Sequence, residues 1–472
     1  PVTSPEAGFF DTPALAVLPF ATERGTESEY FADGLTEALI HELSEIPDVR
    51  VIARASVFHP QHANRDACNV GRDLGAAQVV CGRVRTFGAE LEIDIELVRV
   101  ADRVRLWGER YRHRNDALAT AETEVLRDLV ALLRARPATS GSRSTARRQT
   151  ADAAAHRDFL RGRFFWNKRN EEALRTAIRH FRSALDRDPT YAAAYVGLAD
   201  CYCLLGLYGL SPPHQTMPRA KAAAERALEI DGEFAEAFAS LAYVQLYYDW
   251  DFSRAESGFQ TALRLSPNYA TAHHWYHELL TAQGRFTEQT EHIRRAEALD
   301  PLSAIIKTDI AWGLYFARDF AAAEQHLRDA LELDPQLAVA HVLHGAVALV
   351  QGPEERAAAS LHSLRRAVEL GGTRFPLAIA ALGFALARTG DRSGAQQALE
   401  QLDSHRAAGF VSRFYAAPIL YGLGQIDRTL DALEDAVEER CDRAVFLARE
   451  PLFDRLRGEA RFTNLLGRIG IA

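Results

Sequence analysis

The stretch "ALRLSPNYATAH", residues 262–273, recurs along the chain in altered forms. Its relatives are "ALDRDPTYAAAY" (184–195), "ALEIDGEFAEAF" (227–238), "AEALDPLSAII" (296–306), "ALELDPQLAVAH" (330–341) and "AVELGGTRFPLA" (367–378). Their starts are 43, 35, 34, 34 and 37 residues apart. Pro189, Pro267, Pro301 and Pro335 stand at the same place in their units. Each ends a helix there, because proline has no N–H with which to continue the backbone hydrogen bonds.

A 34-residue period of helix, turn and helix with an Asp-Pro stop is the tetratricopeptide (TPR) signature. Residues 152–472 are therefore expected to form an all-α solenoid. The 43-residue gap holds "GLYGLSPPHQTMP" (206–218), which reads as a loop inserted between two helices. Degenerate pairs before Ala184 and after Ala367 bring the array to about eight helix pairs. "EPLFDRLRGEARFTNLL" (450–466) supplies an atypical terminal helix. A solenoid needs such a cap to shield its last apolar face.

Residues 14–135, behind a short tail at 1–13, read as a separate α/β domain. "ALAVLPF" (14–20) is a short apolar run that suits a buried strand. Leu35, Leu39, Ile40 and Leu43 fall at helical spacing within 31–46. "VRVIARASV" (49–57) reads as a strand, "NVGRDLGA" (69–76) as a short helix and "QVVCGRVRTF" (78–87) as a further strand. Gly88 marks a tight connection into "ELEIDIELVRV" (90–100), whose period of two is that of a half-buried strand. "VRLWGERYRH" (104–113) extends the sheet, and the amphipathic "LATAETEVLRDLVALLRA" (118–135) closes the domain. Residues 136–151 carry four arginines and nothing more apolar than alanine or proline, as a flexible linker does.

Composition narrows the function classes. Hydrophobic residues at 47% and charged residues at 25% are those of a soluble globular chain. A net charge of -9 argues against direct nucleic-acid binding, which needs a basic surface. No apolar run is long enough for a membrane span. The five cysteines are scattered without a CxxC pair and are read as buried free thiols. Pro1 opens the chain and Met217 is its only methionine, so the sequence is expected to be a piece of a longer polypeptide.

The strongest hint of chemistry is "ATAHHWYHELLT" (270–281), with His273, His274 and His277. Helical spacing puts His273 and His277 on the packed face, at core positions of the repeat, and His274 and Glu278 on the concave face. The zincin pattern fails, because Thr281 stands where a second histidine is needed. "HELSE" (41–45) reads as a solvated helix face, and there is no phosphate-binding glycine loop or nucleophile elbow. No catalytic, cofactor or metal residue is assigned. Carrying the repeat alignment along the concave face selects Asp200, Tyr243, Tyr247, His274, Glu278, Trp312 and Tyr315. Aromatics interleaved with polar groups suit a groove for a peptide or protein partner.

"AVLPF", "EYFADGLTEALI", "VRVIARAS", "GRDLGA" and "LWGERY" occur in this order over residues 14–130. Together they resemble the TolB amino-terminal-like domain that precedes TPR arrays in bacterial signalling proteins. One departure is "HPQHANRDA" (59–67), where that family usually has a basic, glycine-containing turn. The resemblance implies a non-enzymatic sensory module joined to an upstream effector. Such effectors are a CadC-type DNA-binding domain, a class III adenylate cyclase or a serine/threonine kinase. It allows either a periplasmic or a cytoplasmic location. A free-standing scaffold, and a hydrolase or metal-dependent enzyme hidden in the first domain, are the competing expectations.

Overall fold

The computed structural model describes residues 12–23, 27–46, 48–114, 117–134, 150–350, 354–371 and 375–471. Most of the expected tail (1–13) and linker (136–151) lies outside the described residues.

The N-terminal unit is a five-stranded sheet of β1 (Ala14–Val17), β2 (Arg50–Val51), β3 (Ala76–Phe87), β4 (Glu90–Arg99) and β5 (Arg105–Arg114), in the order β2-β1-β3-β4-β5. β1 runs parallel to β2 and β3, while β3, β4 and β5 form an antiparallel meander. The period-two pattern of β4 does what it predicts: Leu91, Ile93, Ile95 and Leu97 are buried in the core. On the other face, Glu92 pairs with Arg85 and Arg112, and Asp94 with Arg85 and Arg110. Gly88 has φ +60°, the left-handed conformation that a two-residue hairpin loop requires.

Three helices join these strands, α1 (Glu27–Ser44), α2 (Arg54–Val57) and α3 (Ala67–Asp73), and α4 (Leu118–Arg134) follows the last of them. Phe31, Leu35, Leu39 and Leu43, one row at i, i+4 spacing, are buried together in the core that this unit shares. The expected strand at 49–57 is only two residues long. Ile52 still donates to Leu15 O, but Ala53 N turns away to Leu299 O and Ser56 Oγ to Asp300 Oδ1. Tertiary bonds to the second unit replace the sheet ladder there, and residues 54–57 close into a helical turn.

Eight helix pairs follow among the described residues. They are α5 (Ala153–Trp166) with α6 (Glu171–Arg187), α7 (Ala192–Leu207) with α8 (Pro213–Ile230), α9 (Ala235–Val244) with α10 (Phe252–Leu265), and α11 (Ala270–Gln283) with α12 (Phe286–Leu299). The array continues with α13 (Ala304–Phe316) and α14 (Phe320–Leu333), α15 (Ala338–Val350) and α16 (Glu354–Gly371), α17 (Pro376–Arg388) and α18 (Arg392–Ala408), and α19 (Ala417–Gly422) and α20 (Ile426–Glu438). The final helix, α21 (Ala460–Ile469), buries Phe462 and caps the solenoid. Asn170, Asp251, Asp319 and Asp391 accept a backbone N–H at the start of second helices. Each such cap is worth about 1 kcal/mol. The insertion at 206–218 is not all loop. Pro213 suits the first turn of a helix, where its missing N–H has no partner to lose, and α8 already begins there.

The two units are packed together. α1 meets α5, where Glu37 pairs with Arg163, and His41 pairs with Glu236 at the start of α9. The far end of the solenoid folds back as well. Phe446 stacks on Phe316 with ring centroids 5.2 Å apart, Arg449 donates to Ala282 O and Gln283 O, and Tyr315 donates to Glu450. Between the first unit, the inner helices and this returning segment lies a cavity of about 1020 Å³.

Candidate functional site

The wall of the cavity follows from the repeat. Asp200, Tyr243, Glu278 and Trp312 each stand eleven residues after the stop residue of their unit (Pro189, Gly232, Pro267 and Pro301). They form one row on α7, α9, α11 and α13. Each of the first three meets the residue eight places after the next stop, one helical turn earlier. Ser240 donates to Asp200 at 2.7 Å, the Tyr243 and Trp275 rings lie 4.7 Å apart, and Glu278 meets Asp309.

Of the seven residues expected in the groove, Asp200, Tyr247, His274, Glu278 and Trp312 line the cavity. Tyr243 is 1% exposed and packed between Tyr247 and Trp275. Tyr315 is turned toward Glu450 of the returning segment. Both aromatics therefore hold the walls together and do not line the space. Asp200 sits beside Arg163, 3.6 Å away, and burial pushes its carboxyl up to about 6.

The histidine stretch divides as its helical spacing predicts, with one change. His273 is buried, its Nε2 3.0 Å from Pro267 O and its Nδ1 3.0 Å from His292 Nδ1. His341, the equivalent residue two repeats on, makes the same reach back to Pro335 O at 3.0 Å. His274 faces the cavity and lies 2.7 Å from Asp309 Oδ2, while Glu278 accepts from Tyr247 at 2.8 Å. Helical spacing puts His277 on the His273 face; the structure stacks its ring on that of His274, centroids 5.8 Å apart, and it lines the cavity.

Electrostatics separates these groups. Burial drives His273 down to about 3 and His277 down to about 4. Burial also works against a charge on His274, but the bonded Asp309 carboxylate outweighs it and raises the pKa. Burial pushes Glu278 up to about 7, against the pull of His274. Asp309 escapes a reading based on aromatics and on the eleventh position alone. The eight-to-eleven contact rule, applied to Glu278, would have found it.

Comparison with known proteins places these features. Residues 11–129 match the family model described as HilA/YgeH-like transcriptional regulator, second domain. The matching description is HilA/YgeH-like, not TolB-like. The chain carries a HilA/YgeH-like domain followed by a TPR-repeat solenoid. It is 23% identical to the transcriptional regulator HilA of Salmonella typhimurium over 353 residues, which is 74% of this chain and 60% of that protein. It is 32% identical over 188 residues to a protein assigned as adenylate cyclase 3 in Rhizobium meliloti, covering 40% of this chain and 32% of that one. The chain thus spans about a third of one relative and 60% of the other. A thermophilic TPR protein of Thermus thermophilus aligns with a TM-score of 0.36 and 18% identity, over 42% of this chain and 100% of that one. No helix among the described residues is long and apolar enough to cross a membrane.

Proposed function

We propose that this chain is the sensory and interaction part of a bacterial signalling or transcription regulator, without turnover of its own. Residues 14–135 and 152–472 act together, and a peptide or protein partner is received on the concave face. The effector, whether DNA-binding, cyclase or kinase, is another part of the polypeptide or another chain. The observation that carries this reading is the cavity of about 1020 Å³ between the HilA-like domain and the inner helices. Its volume lies at the upper end of the ~300–1000 Å³ of small-ligand sites, so it suits a short peptide or a single inserted side-chain cluster. Trp312, Tyr247, Arg163 and Arg443 line it. Trp, Tyr and Arg are the residue types that most often anchor partners. A ligand here touches both units at once and so can change how they sit against each other.

The test is a screen of short peptides against the purified chain, read by thermal shift and by the fluorescence of Trp166, Trp275 and Trp312, which line the cavity. A saturable binder that alters the fluorescence and competes with a covalent label placed in the cavity is expected. Binders that ignore such a label would place the partner surface elsewhere.

A further inference from the structure

His274, Glu278 and Asp309 each bring one donor atom to the cavity wall, and the three atoms lie within 4.8 Å of one another. We propose that this trio binds a divalent transition-metal ion, zinc by its donor set, held between two consecutive repeats with a coordination position open to the cavity. The inference goes beyond the peptide reading and does not rest on it, because the trio is complete without a partner.

The donors fit the ion. Imidazole nitrogen and carboxylate oxygen are both zinc ligands, and three protein ligands with a fourth position free is the pattern of an open zinc site. Imidazole favours the later first-row metals over magnesium or calcium. Donors around such an ion sit roughly 3–3.5 Å apart. His274 Nε2 and Asp309 Oδ2, 2.7 Å apart, are a hydrogen-bonded pair that must part by roughly half an ångström as the ion replaces the shared proton, while the flexible Glu278 side chain closes in. The Tyr247 hydroxyl donates to Glu278 Oε2 at 2.8 Å, the kind of bond an outer partner makes to a ligand.

Charge points the same way. Two carboxylates face one imidazole here, with the Arg443 guanidinium on the same cavity wall also acting on Glu278. A dication held by the three donors gives both carboxylates a direct partner, where an unpaired buried charge is unfavourable. His277 lines the same cavity and is 1% exposed. Its Nδ1 lies 2.8 Å from His274 O, and the Asp309 backbone also acts on this ring.

The experiment uses the full chain, stripped with EDTA, desalted and titrated with zinc chloride against a chromophoric chelator, with metal content read by elemental analysis. One zinc per chain and a raised melting temperature are expected. His274→Ala and Asp309→Asn should each weaken binding by about 100-fold or more, exceeding the 10–100-fold typical of outer-shell changes. His273→Ala, whose ring bonds only to Pro267 O and His292, should bind zinc as the wild type does. Glu278→Gln keeps the side-chain shape, so a folded Glu278→Gln chain with weakened zinc binding supports the site even if His274→Ala does not fold. A wild type that takes up no stoichiometric zinc overturns the proposal. So does zinc bound equally well by Asp309→Asn and Glu278→Gln.

Discussion

The side-chain amide of Asn268 donates to the backbone carbonyl of Val49 at 2.9 Å. The same nitrogen also lies 3.3 Å from Ser44 O and 3.2 Å from Ile46 O. A turn residue of the solenoid thus ties down the end of α1 and the approach to β2. Thr190, Glu233 and Gln336, which follow the stop in other repeats, are exposed, whereas Asn268 is 4% exposed. The HilA-like domain rests on this turn and on the next, where Leu299, Asp300 and Leu302 bond to Ala53 and Ser56.

Asn268→Ala should therefore loosen the two units from each other. It leaves buried carbonyls short of a donor, at a cost of about 1–3 kcal/mol. Hydrogen exchange over residues 44–53 should rise and the melting temperature fall, while Gln336→Ala in an exposed turn changes neither. Unchanged exchange in Asn268→Ala would show that the contact does not hold the domain.

Tyr243→Phe should stabilise the protein. The ring is buried between Tyr247 and Trp275, but its hydroxyl has no hydrogen-bond partner. Removing an unsatisfied buried hydroxyl is expected to gain about 1 kcal/mol, measured by denaturant unfolding. A loss of that size would mean that an ordered water satisfies the oxygen.

The solenoid was legible because its period is local: helix, stop and helix repeat over 34 residues, and the row at the eleventh position follows from counting. The sheet strands were legible where alternation ran long, as in β4, and failed at 49–57, where Ala53 and Ser56 bond to residues more than 240 positions away. What counting could not reach was the closure of the groove. Asn268, Phe446 and Glu450 look like ordinary turn and cap residues until the chain brings distant segments onto them. Tyr243 and Tyr315 read as groove residues for the same reason, since the sequence does not say which aromatic faces its neighbour and which faces the space.

Acid should destabilise the fold through His292. Burial pushes its pKa down from 6.5 to about 4, helped by Arg295 and Arg285 and opposed by Glu288. His273 and Tyr276 pack against its ring. The folded state keeps this imidazole neutral, whereas the unfolded chain takes up a proton below about 6.5. Its contribution is thus fully present above that pH and is lost as the pH falls toward about 4. His292→Gln should reduce the stability lost between pH 7 and pH 5 by roughly 1–2 kcal/mol. Parallel pH profiles for the two proteins would rule this out.

Trp312 is the residue at which partner binding and folding separate most cleanly. It lines the cavity and is half-buried, stacked on Phe316 at 5.6 Å with the Arg443 guanidinium 5.3 Å from its ring. Tyr243, at the same row position two repeats away, lies behind the wall at 1% exposure. Truncating Tyr243 to alanine should cost about 3–5 kcal/mol of stability, so a binding defect in that variant reports the fold. Trp312→Ala should melt nearer to the wild type and still weaken a cavity-bound peptide by about 2 kcal/mol, a Kd roughly 30-fold higher. Titration calorimetry at a temperature where both proteins are folded measures this directly. Equal affinity in the wild type and Trp312→Ala would remove Trp312 from the partner surface, whatever else the cavity holds.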